Sequence, residues 1–369
     1  MPCLGLRHVV QQPGPDQRAE AFRSSSSSEQ GVLGTELHEE QPAPALELSL
    51  ALSADLGAVA VAPCHPSASR CLSGGSESMN KTYSHTPVPL DFPVPEFDFA
   101  GCDARRWNGG SAVKSHFWNT FSSLLPNIEF CAIVTLLPIV KRIDDAKLNM
   151  ETSQFCRQEG EHGNAHSRFN AQRLHPDYPF LTRMESWERS LFKRLSIWLP
   201  LNWNLALFVA VEHWTAAFSH FGLQRPDDWF SECDPTMFSL WEWHAVEELA
   251  HKSVCFDIFR YFGGSYFSRV AGMVLLLALI MLPGIFARMA YLFWKDGIFF
   301  KPATYKGLFS YLFSRTGVLR TTFLDFLGYF RLGYNPWNLD SRPLISAWES
   351  RNPVASSVSA PQPASSPDK

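Results

Sequence analysis

Two segments of the sequence place a glutamate one helical turn before a histidine. Residues three and four apart share a face of a helix, so each pair would present a carboxylate and an imidazole side by side. These are donors that bind iron, manganese or zinc. The two segments are 155-FCRQEGEHGNAH-166, which contains Glu159 and His162, and 240-LWEWHAVEELAHKSVCFDIF-259, which contains Glu248 and His251.

Two single acids lie in otherwise apolar helical stretches, Glu129 in 124-LLPNIEFCAIVTLLPIV-140 and Glu212 in 205-LALFVAVEHWTAAF-218. A buried carboxylate is costly unless it is paired or binds a metal. The order along the chain is then Glu, Glu-x-x-His, Glu, Glu-x-x-His, which is the ligand order of ferritin-like di-iron bundles. We therefore predict a dinuclear site with the metal ligands Glu129, Glu159, His162, Glu212, Glu248 and His251.

Other polar residues near these ligands have open roles. His166 and His244 lie on the ligand side of their helices and are candidate catalytic groups, further ligands or partners that orient the carboxylates. His213 points about 100° away from the neighbouring ligand and is interpreted as a packing or supporting residue. Glu161 is interpreted as solvated, and Glu247 as the less favoured neighbour of the ligand that follows it.

Helical hairpins must position the ligands. From Glu129 to Glu159 there are 30 residues and from Glu212 to Glu248 there are 36, enough for half a helix, a loop and half a helix. The longer interval between the hairpins contains 175-HPDYPF-180 and can hold the crossover of a ferritin-like fold. The predicted fold is all-α: a ferritin-like four-helix bundle core, extra C-terminal helices and a disordered N-terminal region.

Pro126 stands three residues before Glu129. Proline is favoured in the first turn of a helix, where no backbone N–H is required. The sequence therefore predicts that the helix carrying Glu129 begins near this proline.

The chain divides by composition. Residues 1–85 contain 24-SSSSS-28, scattered proline and glycine and no sustained periodicity, which predicts a disordered extension, or a sequence upstream of a true start at Met79. Residues 86–350 are the predicted helical metal-binding domain. The tail, 351–369, is rich in proline, serine and alanine and is predicted to be disordered.

One apolar segment could meet a membrane. Residues 270-VAGMVLLLALIMLPGIFARMAYLFW-294 hold an uncharged stretch of about 18 residues before Arg288, the lower limit for spanning a bilayer. Pro283 and Gly284 interrupt it, a break found in membrane helices and in kinked buried ones. A buried core helix, a helix that dips into one leaflet and a true span all remain open.

The composition narrows the class of protein. The net charge is -4 and no basic stripe is present, so we expect no nucleic-acid partner. The eight cysteines form no C-x-x-C pair, which argues against a thiolate zinc site and indicates a reducing compartment. We expect an intracellular protein, cytoplasmic or peripheral or integral to a membrane, and organelle targeting stays open.

Further motifs accompany the ligand segments. They are 97-FDF-99, a Gly-Gly turn followed by His116, LLPNIEF, EGEHGNAH, VEHWTA, WHAVEELAHKSVCFDIF and 329-YFRLGYNPWNLDSRPL-344. Together they resemble the family known as predicted metal-dependent hydrolases, from about residue 96 to 350. The resemblance implies a bound metal, which agrees with the ligand pattern, and it implies hydrolysis, which the ligand pattern does not require.

Three functions fit these observations. The first, favoured by the ligand order, is a non-haem di-iron oxidase or oxygenase that uses O2 and an electron donor on a small hydrophobic substrate, such as an acyl compound. The second is a dinuclear metal-dependent hydrolase in which His166 or His244 acts as general base. The third is a non-catalytic, membrane-peripheral metal-binding protein. The expected cofactors are two metal ions, with iron favoured over manganese and zinc.

Overall fold

The computed structural model of the chain describes residues 82–352. Over these residues the backbone is helical without a β-sheet, and one isolated bridge joins Asn108 to Cys233. The predicted all-α class is confirmed for this part of the chain. Of the segments predicted to be disordered, 1–85 and 351–369, residues 1–81 and 353–369 lie outside the described residues.

The helices follow one another through short connections. In chain order they are α1 (Ala112–Leu136), α2 (Ala146–Phe169), α3 (Phe180–Trp198), α4 (Leu201–Gln224), α5 (Pro226–Trp229), α6 (Pro235–His251), α7 (Val254–Tyr261), α8 (Tyr266–Leu276), α9 (Leu282–Lys295), α10 (Pro302–Phe313), α11 (Val318–Gly328) and α12 (Arg342–Arg351). Short 3₁₀ turns cover Leu137–Arg142 and Pro336–Asn338, and π turns cover Asn170–Leu174 and Leu277–Met281.

Four of these helices enclose the centre of the protein. α1 packs against α2, α4 packs against α6, and contacts between α2 and α6 and between α1 and α4 join the two pairs. Each of the four carries one or two of the predicted ligands. The ferritin-like character of this bundle stays a prediction.

Side-chain caps mark the start of three of the four ligand-bearing helices, α1, α2 and α6. Ser111 accepts from the Lys114 backbone N–H at the start of α1, and Asp145 accepts from Leu148 at the start of α2. Asp234 caps α6, accepting from two backbone N–H groups of its first turn. Such caps satisfy donors that the helix itself leaves unpaired, so they set the rotation at which each helix presents its ligands.

The helix that carries Glu129 does not begin near Pro126, as the sequence predicted, but continues through this proline from Ala112 to Leu136. Proline has no N–H to donate to the carbonyl four residues earlier, which belongs to Ser122. That carbonyl accepts instead from Asn170 Nδ2, at 2.7 Å, on the neighbouring helix. A partner from outside α1 therefore compensates for the bond that Pro126 removes.

The π turn Leu277–Met281 joins α8 and α9 into one long helix, Tyr266–Lys295. It contacts α4 and α1 along one side, and a Cβ added at Gly272 would lie 2.7 Å from the Ala206 carbonyl oxygen, so the helices touch closely. By length and composition this helix and the stretch Ala112–Arg142 could each cross a membrane. The most apolar part of the long helix is only 22% buried, which disfavours a core helix for residues 270–294.

Candidate metal centre

The six predicted ligands converge at the centre of the four-helix bundle. α1 supplies one glutamate, α4 supplies another, and α2 and α6 each supply a Glu-x-x-His pair. All six residues are buried, and none is more than 4% exposed. They are Glu129, Glu159, His162, Glu212, Glu248 and His251.

The first group of donors joins α2, α4 and α6. Glu159, Glu248 and His251 each offer one ligand atom, and these atoms lie within 4.8 Å of one another. His251 Nε2 lies 3.3 Å from Glu159 Oε1 and 3.5 Å from Glu248 Oε2. Glu212 Oε2 lies 3.6 Å from the same nitrogen. Three carboxylates therefore surround one imidazole nitrogen.

The second group joins α1, α2 and α6 and includes a residue that the sequence left open. Glu129, His162 and His244 bring one ligand atom each within 4.8 Å of the others. His244 Nε2 lies 3.9 Å from Glu129 Oε1 and 3.1 Å from Glu248 Oε1. Glu248 thus turns one oxygen towards this group and the other towards His251, as expected of a carboxylate shared by two cations.

Many of these atoms are buried without any hydrogen-bond partner among the described residues. A buried polar atom left unpaired costs about 1–3 kcal/mol. Unpaired atoms clustered in this way fit a role as metal ligands, which supports the metal dependence inferred from their types. The atoms are both carboxylate oxygens of Glu129, Glu159 Oε1, both ring nitrogens of His162, Glu212 Oε2, Glu248 Oε2 and His251 Nε2.

Positive charge at the centre would stabilise the ionised forms of its buried carboxyl groups. Burial raises the pKa of three carboxyls, and the nearby charge of Glu248 raises each of them further; they are Glu129, Glu159 and Glu212. Burial opposes ionisation of Glu248 too, but the neighbouring imidazoles of His251 and His244 hold its pKa well below the usual value in the metal-free protein. Cations would allow all four carboxylates to ionise together.

A buried hydrogen-bond chain crosses from α1 through α2 to α6. Asn170 Nδ2 donates to the Ser122 carbonyl, so its Oδ1 must be the atom that accepts from the Ser122 hydroxyl, at 2.8 Å. Ser122 Oγ has then used its proton and accepts from His166 Nδ1, at 2.9 Å. His166 Nε2 lies 2.9 Å from His244 Nδ1. The chain fixes the direction of every bond in it.

This direction determines which nitrogen of His244 is free. Burial, and then the charge of His244, holds the pKa of His166 well below its usual value, so His166 is neutral and carries only the proton on Nδ1. His244 must therefore donate from its own Nδ1, and in the neutral ring this leaves a lone pair on Nε2. That lone pair faces Glu248 Oε1 at 3.1 Å. Two acceptors at this distance require a cation or a proton between them.

The other two histidines are oriented by side chains that the sequence interpretation missed. His251 Nδ1 lies 3.3 Å from Gln158 Oε1, an amide oxygen that can only accept, so Nε2 of this ring keeps its lone pair. His162 Nε2 lies 3.0 Å from Glu247 Oε2 without the alignment of a hydrogen bond, and its Nδ1 lies 3.6 Å from Glu248 Oε1. Trp243 Nε1 donates to the other oxygen of Glu247 at 2.9 Å.

The remaining polar candidates lie outside both donor groups. His213 faces the opposite side of α4, where its Nδ1 lies 3.0 Å from the Tyr334 hydroxyl. Glu161 is partly exposed and forms an ion pair with Arg157 at 2.8 Å. Both positions agree with what the spacing on the helix indicated.

An apolar cavity ends at the metal centre. It lies between α1, α4 and α6, has a volume of about 70 Å³, and has His244 in its wall. Ile128 and Val211, the residues that precede Glu129 and Glu212, line it as well. Most of the remaining wall is aromatic or aliphatic, with Trp118, Phe121, Phe218 and Trp241 among its members.

Comparison with known proteins agrees with this site. No curated protein and no solved structure matches the chain. The family model described as "Predicted metal-dependent hydrolase" matches residues 94–340, which include both donor groups and make up well over half of the chain. The chain therefore belongs to the family of predicted metal-dependent hydrolases.

Proposed function

We propose that the protein is a hydrolase that uses two metal ions to cleave an ester or amide bond beside an apolar group of its substrate. The observation that carries the proposal is the pair of buried donor groups that share Glu248. Family membership supports the hydrolytic reaction.

Each donor group would hold one ion. Glu159, Glu212 and His251 would bind the first, Glu129 and His162 with His244 the second, and Glu248 both. When bound, divalent ions would supply Lewis acidity, which acidifies a water molecule and polarises a carbonyl. The set contains four carboxylates and three imidazoles, which suits zinc, manganese or iron rather than copper or a thiolate-bound metal.

The hydrogen-bond chain supports the proposed reaction by holding a proton at a defined atom. With Ser122 and Asn170 behind it, His166 accepts the proton of His244 at Nε2 and keeps His244 Nε2 free for a cation. Both nitrogens of His166 are engaged in this chain and its pKa is lowered. His166 is therefore proposed as a positioning residue and not as the general base that the sequence also allowed.

The cavity suggests the class of substrate. Its wall offers an apolar group contact with aromatic rings, while polar groups such as Thr215 and Ser219 are few. A scissile bond bound at the His244 end would lie beside the second donor group, with its apolar part enclosed away from water. We propose an ester or amide of a medium-length acyl or aromatic acid.

A second candidate function is oxidation by O2 at an iron pair. It is favoured by the number of carboxylates, since four glutamates around two ions form a hard donor set of the kind found in di-iron bundles. This reaction would also require an electron donor. The cavity would then bind an apolar substrate that is oxidised instead of hydrolysed.

The two candidates differ in metal and in oxygen dependence. The protein is loaded with Zn(II), Mn(II) or Fe(II), and the release of p-nitrophenol from esters of graded acyl length is followed in strictly anaerobic buffer. Turnover with zinc without oxygen supports hydrolysis. Oxygen consumption with iron alone, and no ester cleavage under any condition, supports oxidation and contradicts the first proposal.

Two glutamates on one helix provide a matched pair of variants for this test. Glu159→Ala removes a donor of the first group, whereas Glu161→Ala removes a partly exposed acid two residues away. Only the former is expected to lose bound metal and turnover together. Equal metal content in both variants would contradict the assigned site.

A further inference from the structure

A broad apolar surface lies away from the bundle centre. On the long helix Tyr266–Lys295, an exposed stripe at helical spacing contains Leu275, Leu279, Leu282 and Phe286, of which Leu279 and Phe286 are each 67% exposed. Large side chains at such exposure on a soluble surface mark an interaction site when they are contiguous. We call this surface, together with its continuation on α3, α10 and α11, the apolar face.

The neighbouring helices extend the same surface. α3 exposes Trp187 and Trp198, and α10 and α11 expose Phe309, Phe323 and Leu324. These helices line grooves together with the long helix. Phe192 of α3 shares one groove with Leu276 and Ile280. Phe313 of α10 and Phe323 of α11 share another with Leu277 and Leu282. These shared grooves place α3, α10 and α11 next to the long helix.

The charges on this side all have one sign. In the segments 180–198 and 260–331 every exposed charged side chain is a lysine or an arginine. The acids of these segments are buried or half-buried; they are Glu185, Glu188, Asp296 and Asp325. The chain as a whole has a net charge of -4, so the cationic character is local. A partner that is both apolar and anionic fits it.

The long helix is fastened to the protein along its other side. Arg288 is buried and pairs with Glu188, with Nη1 donating to Oε1 at 2.6 Å, and its Nε donates to Ser123 at 3.0 Å. Gly272 lies directly on the backbone of α4. A helix held in this way along one side presents only a stripe to its surroundings, as an interfacial helix does, and does not expose apolar residues all round.

The apolar face is continuous with the route to the metal centre. A groove of about 610 Å³ opens between α4, the long helix, α10 and α11, with Arg320 at its wall. Trp214 and Phe218 line this groove and also the cavity that reaches His244. A lipophilic substrate would cross only this aromatic partition. This route rests on the proposed function, whereas binding to a surface does not.

We propose that the apolar face docks on an anionic phospholipid bilayer, with the exposed stripe of the long helix among the acyl chains of one leaflet and the lysines and arginines at the headgroups. Tryptophans such as Trp294, which is 63% exposed, suit the boundary between the two layers. The occupant of the face is therefore a lipid surface.

The test is flotation of the full chain with vesicles of phosphatidylcholine, alone or mixed with phosphatidylglycerol. Binding to the anionic vesicles is expected, with weaker binding at high salt. Leu279→Glu with Phe286→Glu should lower binding at least tenfold, about the loss expected when one such side chain stays in water. Lys301→Glu with Lys306→Glu should lower it about fivefold or more and reduce its salt dependence.

A control separates the face from exposed apolar residues in general. Met150→Glu changes a side chain that is 53% exposed on α2 and should bind vesicles like the unchanged protein. Metal content measured on every variant shows that the bundle has folded. Absence of flotation with both kinds of vesicle overturns the proposal. So does a lipid-free dimer that the stripe variant disperses while vesicle binding is unaffected.

Discussion

His244 Nε2 lies 3.1 Å from Glu248 Oε1, and the hydrogen bond on the other side of the imidazole engages Nδ1 and leaves Nε2 as the nitrogen that can bind a cation. The two atoms are therefore placed as ligands of one common cation. Glu248 faces a second imidazole, His251, with its other oxygen.

Ser122→Ala should weaken metal binding without touching a ligand. The change removes the acceptor of the His166 Nδ1 proton, so His166 and His244 lose the fixed direction of their hydrogen bond. Supporting residues of this kind typically contribute about 10- to 100-fold to metal affinity, and a competing chelator measures the change. Ser123→Ala is the control, because this neighbouring buried hydroxyl bonds to Glu185 and Arg288 instead. Equal affinity in both variants would show that the chain does not orient His244.

Glu248→Ala should reduce the bound metal at both groups, whereas Glu129→Ala should affect mainly the second. The reason is that Glu248 presents one oxygen to each group. Metal content per chain, measured after removal of free ions, distinguishes the two variants. An equal loss of one ion from each would mean that the two groups do not share a carboxylate.

The metal-free protein should become less stable as the pH rises. The pKa values of Glu129, Glu159 and Glu212 are raised by burial above the ordinary value of 4.5. The folded state therefore keeps protons that the unfolded state releases, so stability is full below pH 4.5 and is lost as the pH rises through the raised values. Glu248 and four histidines oppose this trend, because their pKa values are lowered. The histidines, His162, His166, His213 and His220, make stability rise with pH up to their ordinary value of 6.5, so the three carboxyls set the trend above that pH.

Denaturant unfolding in the presence of a chelator at several pH values measures this trend. Glu129→Gln should flatten it and raise the stability of the metal-free protein at neutral pH, although the variant binds metal less well. Added divalent metal should reverse the trend, by about 2.7 kcal/mol at a free concentration one hundred times Kd. A metal-free protein whose stability rises as the pH increases above 6.5 would contradict the electrostatic description.

Thr215→Phe should change the substrate preference without changing the metal. Thr215 lines the apolar cavity on α4, and a phenyl ring there would take up space needed by a long apolar group. Activity on esters of long acyl chains should fall about tenfold or more relative to esters of short chains, since each displaced methylene loses about 0.8 kcal/mol of apolar contact. A uniform decrease over all chain lengths would mean that the substrate does not occupy this cavity.

The ligands could be predicted from the sequence because each feature that revealed them is local. Glu-x-x-His spacing lies within a single helix turn, and a lone acid such as Glu212 stands out in an apolar stretch. The residues that orient the ligands are not local in this sense. Ser122 lies 44 positions from His166, and His166 lies 78 from His244. Such pairs meet only after the helices pack, so periodicity within one helix does not reveal them.

Glu247 shows the same limit within α6. Its spacing from His251 made it the less favoured neighbour of Glu248, but its side chain is fully buried and lies beside His162 of another helix. Trp243, four residues earlier on the same helix, donates a hydrogen bond to Glu247. This spacing of four residues is a local feature of the sequence that could have indicated a buried acid. The continuation of α1 through Pro126 was missed for a related reason, since the donor that replaces the lost bond comes from another helix.

Pro126 has a consequence for the alignment of α1 with α2. The carbonyl of Ser122, which the proline leaves without a helical donor, is available to Asn170 only when the two helices are in one register. A slip of α2 by a single residue would turn the amide away and disconnect the serine, the two histidines and the shared glutamate in succession. Because Pro126 has no N–H, metal binding depends on correct packing of α1 against α2. A misaligned bundle would therefore bind metal weakly.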